Sequence, residues 1–184
     1  MSSPPQDTRE AKTVDARTAA FIGRIISERY RIDEPIASGG MGAVFRGWHL
    51  HMLKRVAIKV LHPETEGLPG LVAQFEREAI AGAHVSHPNV AVATDFGNLG
   101  DGSYFLVLEY VDGCDLRRHL ARRPDLSVRE IVHLLEEAAR GLLAAHRSGL
   151  VHGDVKPDNV LVGHDGRIRV ADFGLAAAWL GTRG

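Results

Sequence analysis

Apolar positions along the chain change period several times, and each change marks an element. Tyr30 and Ile32 alternate with polar neighbours. The stretch Ile36-Ala37-Ser38-Gly39-Gly40-Met41-Gly42-Ala43-Val44-Phe45 then reads as strand, glycine-rich turn and returning strand. Arg55 to Leu61 is a β-branched run, a third strand. Leu71, Phe75, Ala79 and Gly82 recur on one face of a predicted helix, Leu71 to Val85. Tyr104 to Tyr110 is almost continuously apolar, the pattern of a buried strand. A short helix over Leu116–Arg122 follows. Ser127-Val128-Arg129-Glu130 spells a capping box, and Ile131, Leu134, Leu135, Ala138, Leu142 and Ala145 continue from it at helical spacing. Two short strands, Val160 to Val162 and Ile168 to Ala171, flank a turn at Gly163 to Gly166. Upstream, Met1 to Arg9 is a polar, proline-bearing tail unlike a signal peptide, and Val14–Ile26 reads as helical.

The chain has 184 residues, 45% hydrophobic and 24% charged, which suits one globular core. A net charge of −1 gives no reason to expect a nucleic-acid or anionic-membrane surface. The single cysteine, Cys114, excludes an internal disulfide and suits a reducing, cytoplasmic setting. No apolar run approaches a membrane span of ~20 residues. The closest of the ten histidines, His49/His51 and His84/His87, lack a matching cysteine or carboxylate cluster, so no zinc site is expected.

The candidate chemistry sits in Val151-His152-Gly153-Asp154-Val155-Lys156-Pro157-Asp158-Asn159, a polar loop between apolar flanks. Asp154 could accept a hydroxyl proton. Asn159 and Asp172 offer oxygen ligands for Mg²⁺, and Lys156 could neutralise a transferring phosphoryl group. Lys59 lies inside a strand, where an ammonium needs a partner.

These residues resemble the catalytic and metal-binding segments of protein kinases, with Lys156-Pro157-Asp158-Asn159 in the serine/threonine form. The glycine-rich hairpin, followed by Val56-Ala57-Ile58-Lys59, resembles the kinase phosphate loop, and its Gly-Gly-Met-Gly wording is similar to bacterial eukaryotic-like kinases. Ala37 stands where the first glycine usually does. Gly153 stands where the family has the arginine of His-Arg-Asp.

The resemblance implies an α+β fold: an antiparallel N-lobe sheet with helix C, residues 28–110, then a hinge and an incomplete helical C-lobe, residues 111–184, after a tail over residues 1–27. It implies ATP and Mg²⁺ as cofactors and a protein serine or threonine as acceptor. ATP would be held by Ile36 to Val44, Ala57, Lys59, Leu108, Glu109, Val111 and Leu161. Glu78 would pair with Lys59, and Leu108 would sit behind the adenine. Asp115 would contact ribose, or alternatively cap the helix that follows it. Asp154, Lys156 and Lys59 would be catalytic, with Asn159 and Asp172 on metal.

The second Asp-Phe-Gly, Asp95-Phe96-Gly97, precedes the catalytic loop and is expected to be a turn. Gly82 and Ala93 make a thin contact behind Lys59, suggesting a loosely locked active state. Gly153 predicts no activation by loop phosphorylation. The sequence ends ten residues beyond Gly174, without the segments that hold a substrate in the family, and the long helix's apolar face is expected to be left partly uncovered. The 184-residue chain is therefore expected to bind nucleotide and to phosphorylate peptides poorly. A nucleotide-binding regulatory module and an inactive fragment are the competing readings.

Overall fold

The structure, a computed structural model, describes residues 15–40, 42–62 and 69–173; side chains at 69, 71, 74, 78 and 81 lie outside that description. Its first element, α1 (Ala16–Ala19), is a single turn capped by Asp15, which accepts from the Thr18 N–H at 2.7 Å. The helix expected over Val14–Ile26 stops there. Gly23 takes φ +82°, and Ile25–Ile26 becomes β1, paired with the start of β2 (Tyr30–Gly39). The reason is tertiary: Phe21 and Ile26 are needed in the core, and a continuous helix would turn one of them away.

A glycine turn joins β2 to β3 (Gly42–His49), which pairs in turn with β4 (Lys54–Leu61). Then come α2 (Pro69–Ala83), β5 (Ala93–Asn98) and β6 (Tyr104–Glu109). The six strands form one antiparallel sheet in the order β1-β2-β3-β4-β6-β5. Asp95-Phe96-Gly97 lies within β5, contrary to the turn expected. Strand pairing with β6 overrides the local turn propensity of Asp and Gly.

Period two sorts the sheet's side chains onto two faces. Phe45, Ile58, Val60, Phe105 and Val107 fill one core with Phe21 and Ile32. The other face carries Lys59, Leu61 and Leu106, and there α2 packs through Phe75 and Ala79. At Gly82 an added methyl carbon would lie 3.3 Å from the Ala93 side chain. The small residues let the helix approach β5 closely.

β7 (Gly113–Asp115), β8 (Val160–Gly163) and β9 (Ile168–Val170) make a second, three-stranded sheet. Between β7 and β8 run α3 (Leu116–Arg122) and α4 (Val128–Arg147). The capping box is present: Ser127 Oγ accepts from the Glu130 N–H, and Glu130 accepts from the Ser127 N–H at 2.8 Å. Ala138, Gly141 and Ala145 bury one face of α4 against this sheet, while Val128, Val132, Leu135 and Leu143 stay exposed on an adjoining stripe. No described helix is long and apolar enough to cross a membrane.

Candidate active site

Lys59 reaches the site because its partners in the sheet, Val44 and Leu106, share its face, the one covered by α2. Its ammonium, almost wholly buried, forms an ion pair with Asp172 and lies 5.7 Å from the centre of the Phe75 ring. The expected partner, Glu78, is on α2, but its side chain lies outside the described residues. Asp172 adopts φ +60°, a backbone that non-glycine residues rarely take and one that clusters at functional sites.

A cleft of about 240 Å³ lies beneath the glycine-rich hairpin. Its lining runs from Ala37, Ser38, Gly39 and Gly40 to Gly42, Ala43 and Val44, and reaches Lys59 and Asp172. Met41 falls outside the described residues. Ile36, Ala57, Leu108, Glu109, Val111, Asp115 and Leu161 do not line this cleft. Ala57 and Leu108 are paired across β4 and β6 beside it, and Glu109 ends β6.

Glu109 N–H donates to the Val92 carbonyl at 2.9 Å. Val111 follows two residues on, where the chain leaves β6. Asp115 is the N-cap of α3: one oxygen accepts from the Arg118 N–H at 2.8 Å and the other lies 3.2 Å from the same residue's guanidinium. Leu161 faces Asp115 across β7 and β8.

The catalytic-loop candidates converge. Asp154 Oδ2 accepts from Lys156 Nζ at 2.5 Å and from Asn159 Nδ2 at 3.2 Å. The hydrogen bond from Lys156 holds the Asp154 carboxyl below its ordinary range, and Asp154 raises Lys156 in return. Asp154 is thus ionised at neutral pH, and both of these bonds fall on its Oδ2. Asn159 Nδ2 also donates to the Asp154 carbonyl at 2.9 Å, so its amide nitrogen is committed to the loop. The single 3-10 turn Pro157–Asn159 sets this geometry, with Pro157 fixing its first residue.

Two supporting residues, His152 and Arg117, were given no role from sequence. His152 is buried against Phe173, ring centres 4.7 Å apart. Its Nε2 donates to the Ala171 carbonyl at 3.0 Å and its Nδ1 accepts from the Asp154 N–H at 3.3 Å, tying the loop to Asp-Phe-Gly. Arg117 makes a two-pronged bond to Asp158 at 2.9 and 2.8 Å, pinning the loop to α3. An apolar histidine flank and an arginine at the start of a helix were the only available signals. The other Asp-Phe-Gly does not join the site. Asp95 accepts from Tyr30 Oη at 2.8 Å and pairs with Arg29 at 3.0 Å.

The hairpin thus covers a lysine that reaches one aspartate, beside a second aspartate and an asparagine held on one short loop. The protein kinase domain model matches residues 30–183. The chain belongs to the protein kinase family. It is similar to the serine/threonine-protein kinase PknA of Mycobacterium tuberculosis, 40% identical over 161 residues, covering 85% of this chain and 37% of that protein. It is 39% identical over 158 residues to the probable serine/threonine-protein kinase PknB of Lactococcus lactis, covering 85% of this chain and 25% of that one. Among solved structures, the Mycobacterium tuberculosis PknI kinase domain superposes with a TM-score of 0.71 at 34% identity, covering 84% of this chain and 62% of that one. The chain thus spans well under half the length of these curated relatives.

Proposed function

We propose that this chain carries the nucleotide-binding and phosphoryl-transfer site of a serine/threonine protein kinase. The observation that supports it best is the Asp154 carboxylate, held by Lys156 and Asn159, together with Asp172 against Lys59 beneath the glycine-rich hairpin. Asp154 Oδ1 orients the acceptor hydroxyl and takes its proton as the oxygen bonds to the γ-phosphorus, while the bond from that phosphorus to the β–γ bridging oxygen breaks and ADP leaves. Lys156 faces the same space and offsets charge on the transferring group. Lys59, drawn away from Asp172, neutralises the remaining phosphates.

Asn159 and Asp172 fit Mg²⁺, which takes hard oxygen donors and is held by one or two protein groups plus substrate phosphates. The metal would supply charge neutralisation on the phosphates. The absence of any three-ligand His/Cys/Asp/Glu cluster among the described residues is compatible with such a site. The Glu109 carbonyl and the Val111 N–H hold the adenine, while Ala57 and Leu108 shape its pocket.

The test is transfer of labelled phosphate to a generic basic protein, followed long enough to detect a slow reaction. Transfer that is lost in Asp154→Asn supports the reading. Equal transfer by both forms overturns it. A chain that binds Mg²⁺-ATP without any transfer would instead be a nucleotide-binding regulatory module.

A further inference from the structure

A second cleft, about 870 Å³, lies among α3, the start of α4 and the β8–β9 turn, and shares no lining residue with the cleft beneath the hairpin. Its floor is apolar, made by Leu126, Leu134 and Val162 with Cys114 beside them. Its rim is basic: Arg122 and Arg123 follow one another at the end of α3, Arg129 and His133 project from the first turns of α4, and His119 and His164 complete the wall. The only carboxylate lining it is Glu130. That group already accepts from Ser127 N–H at 2.8 Å and Ser127 Oγ at 2.6 Å, and lies 3.6 Å from Arg123.

Asp125 braces Arg123 at 2.9 Å. Among the described residues, no carboxylate forms an ion pair with Arg122 or Arg129. The positive end of the 20-residue helix α4 adds to the same field. The histidines and Cys114 form no metal-holding group among the described residues. A single inorganic anion has no use for an apolar floor. Single-stranded nucleic acid binds through stacking on aromatic rings, and no Phe, Tyr or Trp lines the cleft. What complements unpaired cations around a greasy floor is a chain bearing carboxylates and an aliphatic side chain together.

We propose that this cleft is a docking site for an acidic, leucine-bearing peptide segment of a partner protein, seated with its aliphatic side chain on Leu126, Leu134 and Val162 and its carboxylates on Arg122 and Arg129. The site is separate from the phosphoryl-transfer reading and is tested without nucleotide.

The experiment is fluorescence anisotropy of a fluorescein-labelled peptide of alternating Glu and Leu, titrated with the full chain. Saturable binding is expected, and the double variant Arg122→Glu/Arg129→Glu should weaken it about tenfold. Both positions are exposed surface sites, so the unliganded thermal midpoint of the variant should stay near that of the parent. Replacing Leu by Ser in the peptide should also weaken binding. Equal affinity for the double variant overturns the proposal, as does equal binding of a Lys/Leu peptide. An oligodeoxythymidylate of the same charge binding as tightly as the peptide overturns it too, by showing polyanion attraction alone.

Discussion

Arg169 Nε lies 3.0 Å from Glu109 Oε1, joining β9 to the end of β6, where the chain crosses from one sheet to the other. The same guanidinium holds Asp165 at 3.0 Å and is largely shielded from water. It drives the Asp165 carboxyl down to about 2. Removing the guanidinium takes away its bonds to both carboxylates and the packing of its own largely shielded stem. We expect Arg169→Ala to lower stability by about 1–3 kcal/mol in urea denaturation. An unchanged midpoint would mean the sheets are held together without it.

Mg²⁺-ATP should raise the thermal midpoint of the wild-type chain, because bound ligand stabilises only the folded state. Lys59→Met should abolish that shift while leaving the unliganded protein folded, since a linear apolar side chain fits beside Phe75. A full shift in Lys59→Met would remove Lys59 from the site.

Gly141 tests helix packing with an inverted sign. Alanine ordinarily stabilises a helix interior over glycine by about 1 kcal/mol. Here an added Cβ would run into the Asn89 carbonyl and lie 3.2 Å from the Asn89 side chain. That carbonyl accepts from the Val170 N–H at 2.8 Å, and Asn89 Nδ2 donates to the Ile168 carbonyl at 2.8 Å, so it cannot move freely. Gly141→Ala should therefore destabilise by about 1–3 kcal/mol, measured by thermal denaturation.

Burial and its bond to Asp95 push the Tyr30 hydroxyl up to about 12. A raised folded value means that the contribution is complete below the unfolded value near 10 and disappears as pH climbs toward 12. Wild type should lose stability between those limits more steeply than Tyr30→Phe. Parallel stability–pH curves for the two proteins would contradict this.

Local codes in the sequence were legible where local physics decides. Ser127 and Glu130 satisfy each other's backbone, so the start of α4 could be read without knowing the fold. The catalytic loop was legible for a similar reason, as Asp154, Lys156 and Asn159 meet within six residues. Features set by distant partners were not. Ile25–Ile26 leaves its helical pattern to pair with β2, and Asp95 turns from a loop residue into the acceptor for Tyr30, 65 positions away. Arg169 and Glu109 carry no motif at all; only the crossing of two sheets brings them together.

Gly153 holds φ at +76° while the next residue's N–H returns to the ring of His152. An L-residue forced into that region costs about 1–2 kcal/mol, and relieving it by rotating the peptide would swing Asp154 out of place. An arginine introduced at this position would therefore bring backbone strain together with its charge. We expect Gly153→Arg to lower both stability and nucleotide-dependent transfer, even when a phosphate is available for it to grasp. The backbone of the loop, and not only the missing side chain, therefore bears on any such substitution.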